Sequence, residues 1–200
     1  MIDTVIFDIG NVLAPFNWAG YIRRTLSDPA TIETVNDAIR GHGLWEEFDR
    51  GVMKEEDIIN GFISYAPDCE REIRLLCSHL GGSMDRADYA IPWLRSVKET
   101  GRRVMYLSNY SRFIMNDNPG VLDFLPMMNG GVFSCDVHLL KPDPAMYDCI
   151  CKKYGLTPSR CAFLDDMEGN AKAARDFGMT GIHVKNHEQA KAELDAILAA

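Results

Sequence analysis

The sequence predicts an α/β fold, a Rossmann-like parallel sheet with helices on both faces, together with an inserted all-helical segment. Residues 5–7 form an apolar run without polar alternation, which is typical of a strand buried on both faces. Residues 85–200 alternate between helical and strand patterns, as βαβ chains do. Residues 15–84 show helical spacing alone. We therefore expect a core domain from residues 1–14 and 85–200, and a helical cap domain from residues 15–84.

The first predicted strand ends in a carboxylate. Asp8 follows the apolar residues directly, and Gly10 stands two positions later. Open α/β sheets place their ligand sites at the carboxyl ends of the strands, so Asp8 is a candidate site residue. Gly10 allows the backbone to turn sharply and to come close to a bound group.

The cap segment carries apolar residues at helical spacing in three stretches, residues 32–39, 58–63 and 73–80. Between the first two lies Trp45–Arg50, which we interpret as a turn of aromatic and charged residues. Either this turn overhangs the site and contacts a sugar, or Trp45 and Phe48 pack inside the cap while the acidic residues face water. We favour the second interpretation, because aromatic residues in small helical units mostly belong to the core.

Four further strands and four helices are predicted in the core domain. The strands cover residues 103–107, 131–134, 161–164 and 181–184. The helices cover residues 90–100, the stretch from Lys141 to Gly155, and residues 170–177 and 188–198. Two of these strands run into polar pairs, which are Ser108-Asn109 and Asp165-Asp166.

Composition and charge argue against several classes of partner. The net charge is −8, and the 21 lysine and arginine residues are scattered, so we expect no nucleic-acid partner and no membrane partner. No stretch approaches a membrane-spanning helix, and no basic leader precedes an apolar run. The six cysteines form no CxxC pair, as expected of reduced thiols in a cytoplasmic protein. The sequence fits a monomer or a homodimer.

The polar residues that follow three strands, with one lysine, are expected to meet, because right-handed crossovers place parallel strand ends at one edge of the sheet. These residues are Asp8, Ser108, Asn109, Lys141, Asp165 and Asp166. Close carboxylates repel by about 4 kcal/mol per pair at an effective dielectric constant of about 20. The lysine offsets one charge, and Mg²⁺ would offset two, since it prefers carboxylate, carbonyl and water oxygens and commonly binds substrate phosphates.

Four motifs carry a family resemblance. They are Asp8-Ile9-Gly10-Asn11-Val12-Leu13, Leu107-Ser108-Asn109, Lys141 before Pro142-Asp143-Pro144, and Leu164-Asp165-Asp166 with Asn170 after it. In this order they resemble the motifs of the haloacid dehalogenase (HAD)-like hydrolases, most of all the sugar-phosphate phosphatases with a helical cap after the first strand. The resemblance spans nearly the whole chain.

The resemblance implies Mg²⁺-dependent hydrolysis of a small phosphate ester, with a sugar phosphate favoured. Asp8 matches the nucleophile, which attacks phosphorus and forms an aspartyl-phosphate. Ser108 and Lys141 match catalytic groups that bind the phosphoryl oxygens, and Asn109 matches a further substrate contact.

The Mg²⁺ ligands implied by the resemblance are the Asp8 carboxylate, the Gly10 carbonyl and Asp166, with Asp165 binding directly or through water. One position departs from the family pattern. A second aspartate, which serves as general acid and base, normally stands where this chain has Gly10. Such a group contributes about 10²–10⁴-fold to the rate, so we expect slow turnover, an easily displaced leaving group, or a substitute that the sequence does not identify.

Two other functions fit parts of this pattern. A metal-independent 2-haloacid dehalogenase also uses an aspartate nucleophile and lacks the second aspartate. In that enzyme, however, Asp165 and Asp166 would stand beside an anionic substrate with no cation to offset their charge. The second alternative is a non-catalytic phosphate-ester-binding protein that has lost turnover with its acid. Phosphate release that depends on Mg²⁺ separates the phosphatase from both.

Overall fold

Five parallel strands form the centre of the structure, a computed structural model that describes residues 1–199. The strands are β1 (Thr4–Phe7), β2 (Arg103–Ser108), β3 (Gly131–Phe133), β4 (Cys161–Asp165) and β5 (Thr180–His183). Their order in the sheet is β3-β2-β1-β4-β5. Val5 of β1 pairs with Val104 on one side and with Ala162 on the other, so β1 is the central strand. The predicted α/β fold class is confirmed.

Residues 1–199 also contain eleven α-helices. They are α1 (Trp18–Thr25), α2 (Pro29–Arg40), α3 (Trp45–Arg50), α4 (Glu55–Tyr65), α5 (Glu70–Cys77), α6 (Ala90–Glu99), α7 (Arg112–Asp117), α8 (Ser134–Val137), α9 (Pro144–Tyr154), α10 (Glu168–Asp176) and α11 (His187–Ala199). None of them combines the length and the apolar character that crossing a membrane would require.

Each face of the sheet packs against its own apolar core. Val5 and Phe7 point into a large cluster that includes Trp93 of α6 and Leu194 of α11. Ile6, which alternates with them along β1, joins a second cluster with residues of α9 and α10. Because successive side chains of a strand point to opposite faces, an unbroken apolar run is what a doubly covered strand requires.

The two ends of the inserted segment lie side by side. Phe16 and Met84 form an antiparallel bridge, and the Asn17 amide donates to the Ser83 carbonyl at 2.8 Å. The Asp85 amide donates to the Pro15 carbonyl at 3.1 Å. Helices α1–α5 lie between these contacts, and no strand of the sheet does. This arrangement supports our proposal that residues 15–84 are a separate cap domain.

Several predicted bounds differ from the structure. Ser108 and Asp165 belong to β2 and β4, because they pair with Phe133 and His183 of the neighbouring strands. Ser134, predicted as the end of a strand, begins α8 instead. The predicted turn at Trp45–Arg50 is wrong, since these residues form helix α3. Helices α1 and α7 had no counterpart in the prediction, because their short apolar patterns are flanked by loop-like residues.

Helix α10 packs so closely on β5 that position 181 has no room for a side chain. A Cβ atom at Gly181 would lie 2.1 Å from the backbone oxygen of Ala171. We therefore expect Gly181→Ala to lower the free energy of unfolding by about 1–3 kcal/mol. Gly169→Ala is the matched control in α10, where an added Cβ meets nothing within 4 Å, and should stabilise by up to about 1 kcal/mol. Urea unfolding followed by circular dichroism measures both, and equal effects would contradict the close packing.

Candidate active site

Two neighbouring strands bring three carboxylates together at one edge of the sheet. Asp8 follows β1, Asp165 is the last residue of β4, and Asp166 comes next. One oxygen from each of these carboxylates lies within 4.8 Å of the other two. The parallel pairing of β1 with β4 produces this meeting, because it aligns the carboxyl ends of the two strands.

Lys141 lies between two of these carboxylates. Its Nζ atom is 2.9 Å from Oδ1 of Asp8 and 2.6 Å from Oδ2 of Asp165, and its side chain is only 1% exposed. Burial opposes the charge of the ammonium, but Asp165 and then Asp8 outweigh it and raise the pKa of Lys141. Lys141 is therefore charged and paired with both carboxylates.

Asn109 holds this lysine in place. Its Nδ2 donates to the Lys141 carbonyl at 3.0 Å, and its Oδ1 accepts from the Lys141 amide at 2.9 Å. Sequence reasoning assigned Asn109 to the substrate, and the structure adds this second role. The neighbouring Ser108 has a buried hydroxyl without a hydrogen-bond partner in residues 1–199. A buried hydroxyl is costly to leave unpaired, so Ser108 has a donor to offer to a bound oxygen.

Asp165 and Asp166 differ in the hydrogen bonds they accept. Asp165 is fully buried, and both its oxygens are engaged: Oδ2 by Lys141, and Oδ1 by the Met167 amide at 2.8 Å and by Asn170 at 3.0 Å. Asp166 is only partly buried and accepts one side-chain hydrogen bond, from Nδ2 of Asn11 to its Oδ2 at 2.9 Å. Asp166 therefore keeps an oxygen for an ion, whereas Asp165 fixes the lysine.

Asn11 is a site residue that sequence reasoning missed. It has a left-handed backbone, with φ of 55°, and its Oδ1 accepts from the Phe16 amide at 2.9 Å. The same side chain thus links Asp166 with the beginning of the inserted segment. Asparagine tolerates this conformation better than most residues, so its presence in the first motif was a sequence signal for a left-handed turn at this position.

The nucleophile candidate also has one engaged and one free oxygen. The Ile9 amide at 2.7 Å and Lys141 both bind Oδ1 of Asp8, so Oδ2 is left for a reacting group or an ion. Burial raises the pKa of Asp8 to about 7; Lys141 works against this shift and Asp165 adds to it. Burial likewise raises the pKa of Asp166. A single lysine does not offset three carboxylates, and these oxygens with the Gly10 carbonyl suit a hard divalent cation.

A cavity of about 270 Å³ opens over these residues. Its core side includes Asp8, Gly10, Asn11, Asn109, Tyr110 and Asp166. Its other side comes from the inserted segment, namely Phe16, Arg40, Trp45, Glu46, Asp49 and Met84. The guanidinium of Arg40 lies 4.6 Å from the centre of the Trp45 ring, so this wall is both aromatic and cationic.

The favoured interpretation of the Trp45–Arg50 segment is only partly right. Phe48 is buried, with its ring 5.7 Å from that of Phe62, as expected of a core residue. However, Trp45, Glu46 and Asp49 line the cavity. Trp45 does both, because its ring also lies 5.9 Å from that of Phe48 and 5.5 Å from that of Trp18 within the cap segment.

The chain belongs to the haloacid dehalogenase-like hydrolase family, whose pattern matches residues 2–178. It is 26% identical over 153 residues to flavin mononucleotide hydrolase 1 of Arabidopsis thaliana, covering 76% of this chain and 60% of that protein. It is 25% identical over 179 residues to the sesquiterpene phosphatase astK of Aspergillus oryzae, covering 90% and 88%. The chain spans only 19% of the mouse acyl-CoA dehydrogenase family member 10, at 26% identity over 97% of this chain.

Solved structures share this fold. A HAD-family enzyme of Bacteroides thetaiotaomicron, in complex with magnesium and inorganic phosphate, matches with a TM-score of 0.75 and 17% identity over 92% of this chain and 95% of that chain. The L-2-haloacid dehalogenase of Xanthobacter autotrophicus matches with a TM-score of 0.64 and 16% identity, over 98% and 83%. At these identities the likeness concerns the fold alone.

Removal of Lys141 should leave two buried carboxylates without their counter-charge. We expect Lys141→Met to lower the free energy of unfolding by about 3–5 kcal/mol. Lys172→Met is the matched control, because it removes the exposed ion pair with Asp176 on α10 and should cost no more than about 0.5 kcal/mol. Guanidinium unfolding at neutral pH measures both variants. A loss for Lys141→Met as small as that of the control would contradict the buried ion pairs.

Proposed function

We propose that this chain is a Mg²⁺-dependent phosphomonoester hydrolase that works through an aspartyl-phosphate on Asp8. The observation that carries the proposal is the meeting of Asp8, Asp165 and Asp166 around the buried Lys141. The names of the Arabidopsis and Aspergillus relatives, a hydrolase of a phosphate ester and a phosphatase, support the same reaction class.

Mg²⁺ would be held by the Asp8 carboxylate, Asp166 and the Gly10 carbonyl. Asp165 would act through water and through Lys141, because its oxygens already accept from protein donors. Bound there, the ion would screen the repulsion between the carboxylates and a phosphate dianion.

The remaining steps follow from the chain's own groups. Oδ2 of Asp8 attacks phosphorus as the bond to the leaving oxygen breaks. Ser108 donates its unpaired hydroxyl to a phosphoryl oxygen, and the Lys141 ammonium neutralises a neighbouring one. Asn109 holds the Lys141 backbone in place through its two hydrogen bonds to the Lys141 carbonyl and amide. Water then cleaves the aspartyl-phosphate and restores Asp8.

The substrate we propose is a small phosphorylated metabolite, with a sugar phosphate favoured. A cavity of about 270 Å³ suits such a molecule, and neither a nucleic acid nor a membrane is proposed as a partner. Trp45 offers a flat apolar face to the part of the ester that lies away from the phosphate, and Arg40 offers a cation. A monomer or a homodimer and a cytoplasmic location complete the proposal.

A 2-haloacid dehalogenase remains the second candidate, favoured by the glycine at position 10 and by the fold of the Xanthobacter enzyme. Its reaction at carbon needs no dication, yet Asp166 lies beside the nucleophile and forms no ion pair with any group of residues 1–199. A phosphate-ester-binding protein without turnover would hold the same groups. The metal requirement and product of the reaction distinguish all three.

The test is a panel of phosphorylated metabolites and 2-haloacids, incubated with Mg²⁺ or with a chelator. We expect phosphate release with Mg²⁺ only, and its abolition by Asp8→Asn, because an amide does not attack phosphorus. Asp148→Asn is the matched control, since this aspartate lies in an exposed pair with Lys152 on α9. Phosphate release by Asp8→Asn at the wild-type rate would exclude Asp8 as the nucleophile, and halide release without metal would favour the dehalogenase.

A further inference from the structure

The active site lacks a proton donor at the position that supplies one elsewhere in the family. Gly10 has no side chain, and a Cβ atom added there would meet nothing within 4 Å. The space beside Asp8 is therefore open to a group from another part of the chain. An alkoxide leaving group needs a proton in the transition state, and this help is worth about 10²–10⁴-fold.

Asp49 of helix α3 lines the cavity that also contains Asp8 and Gly10. Within residues 1–199 its carboxylate accepts no hydrogen bond and forms no ion pair; only its backbone carbonyl is engaged. Apart from Asp8, the two other acids of the cavity differ from it, because Asp166 accepts a hydrogen bond from Asn11 and Glu46 is exposed. A half-buried carboxylate that faces a cavity without a partner is available to exchange a proton with a bound ligand.

The backbone of Asp49 is held against the core rather than against the rest of the cap. The Ser134 hydroxyl, at the start of α8, donates to the Asp49 carbonyl at 2.6 Å and accepts from the Tyr110 amide at 2.9 Å. Tyr110 follows Ser108-Asn109, so one serine links Asp49 to the loop that binds phosphate in our proposal. Next to it, Nδ1 of His138 lies 2.9 Å from the Arg50 carbonyl.

The end of α3 also fits tightly on α8. Gly51 has φ of 67°, and a Cβ atom there would lie 3.0 Å from Cβ of Cys135. A larger residue would therefore be strained both by its backbone and by this contact. These contacts fix the carboxyl end of α3 to the core and keep Asp49 in the cavity wall.

We propose that Asp49 is the general acid and base of the reaction, in place of the family's aspartate at position 10. This inference rests on the proposed phosphatase function. Asp49 contributes its carboxyl from the cap side of the cavity, opposite the strand ends that carry Asp8.

The surroundings of Asp49 suit a group that exchanges protons near neutral pH. Burial raises its pKa to about 7; Arg40 of α2 and then Lys141 work against this shift, and Glu46 of its own helix adds to it. The other titratable groups that face it are Tyr110 and Cys135, and burial raises the pKa of both. Below about pH 7 the carboxyl therefore holds a proton to give.

Asp49 transfers a proton in both halves of the reaction. In the first, the bond between Oδ2 of Asp8 and phosphorus forms while the ester bond breaks, and the Asp49 carboxyl gives its proton to the departing oxygen. In the second, the Asp49 carboxylate takes a proton from water as that water's oxygen bonds to phosphorus. The bond to Asp8 breaks, phosphate leaves, and Asp49 is again protonated.

The test compares leaving groups that need a proton with those that do not. With Mg²⁺, kcat/KM, which reports only the steps up to departure of the leaving group, should fall about 10²–10⁴-fold for Asp49→Asn on phenyl phosphate, whose leaving group is strongly basic. On 4-nitrophenyl phosphate, whose leaving group departs as an anion, the loss of kcat/KM should stay below about tenfold. Glu47→Gln is the matched control, since Glu47 lies on the same helix but pairs with Arg50 outside the cavity. It should leave both rates unchanged.

A second variant separates a chemical role from a structural one. Gly10→Asp in the Asp49→Asn background should restore turnover of phenyl phosphate, because position 10 has room for the family's acid. Thermal unfolding of both variants checks that they are folded. Equal losses of kcat/KM on the two esters for Asp49→Asn, no loss on phenyl phosphate, or no rescue by Gly10→Asp would overturn the role of Asp49. Absence of Mg²⁺-dependent phosphate release from 4-nitrophenyl phosphate by the wild type would instead contradict the proposed function itself.

Discussion

The site depends on one buried ammonium group between two carboxylates. Lys141 lies within 2.9 Å of Asp8 and 2.6 Å of Asp165, and its side chain is almost completely removed from water. Burial of an unpaired charge is strongly unfavourable, so each of these groups requires the others. Asn109 holds the lysine backbone, and Asn170 with the Met167 amide holds the other oxygen of Asp165. These contacts hold the groups together without a bound ligand.

The contacts of Lys141 with Asp8 and Asp165 leave specific atoms free. Lys141 and the Ile9 amide occupy Oδ1 of Asp8, and Asp165 has no free oxygen. What remains is Oδ2 of Asp8, one oxygen of Asp166 and the Ser108 hydroxyl. Two consecutive acids thus take different roles because β4 ends between them: Asp165 still pairs with β5, whereas Asp166 lies beyond the strand and faces the cavity. In our proposal a dication and a phosphoryl group complete this set.

The sheet and the strand-end residues could be predicted because the patterns that specify them lie within short stretches of the sequence. An apolar run that ends in Asp8, and another that ends in Asp165, identify buried strands and their carboxyl ends in the sequence itself. Right-handed crossover then brings these ends together. The order of the four motifs also indicated the family, and the family match over residues 2–178 confirms it.

Asp49 could not be predicted in the same way. In the sequence it is one of three acids in a six-residue stretch, and its place in the cavity wall depends on the docking of α3 against α8, more than 80 residues away. The clamp of Asn109 on Lys141 and the link from Asn11 to Asp166 are likewise contacts between distant segments. Sequence periodicity carries no information about such contacts.

A crystal soaked with Mn²⁺, as a substitute for Mg²⁺, would locate a bound dication through the anomalous scattering of the ion. We expect a single strong peak at the strand edge, bounded by the Asp8 carboxylate, the Gly10 carbonyl and Asp166, with Lys141 still bridging Asp8 and Asp165. A map without a peak at this edge, while Asp8 and Asp166 keep their positions, would contradict the claim that a dication makes the meeting of these carboxylates tolerable.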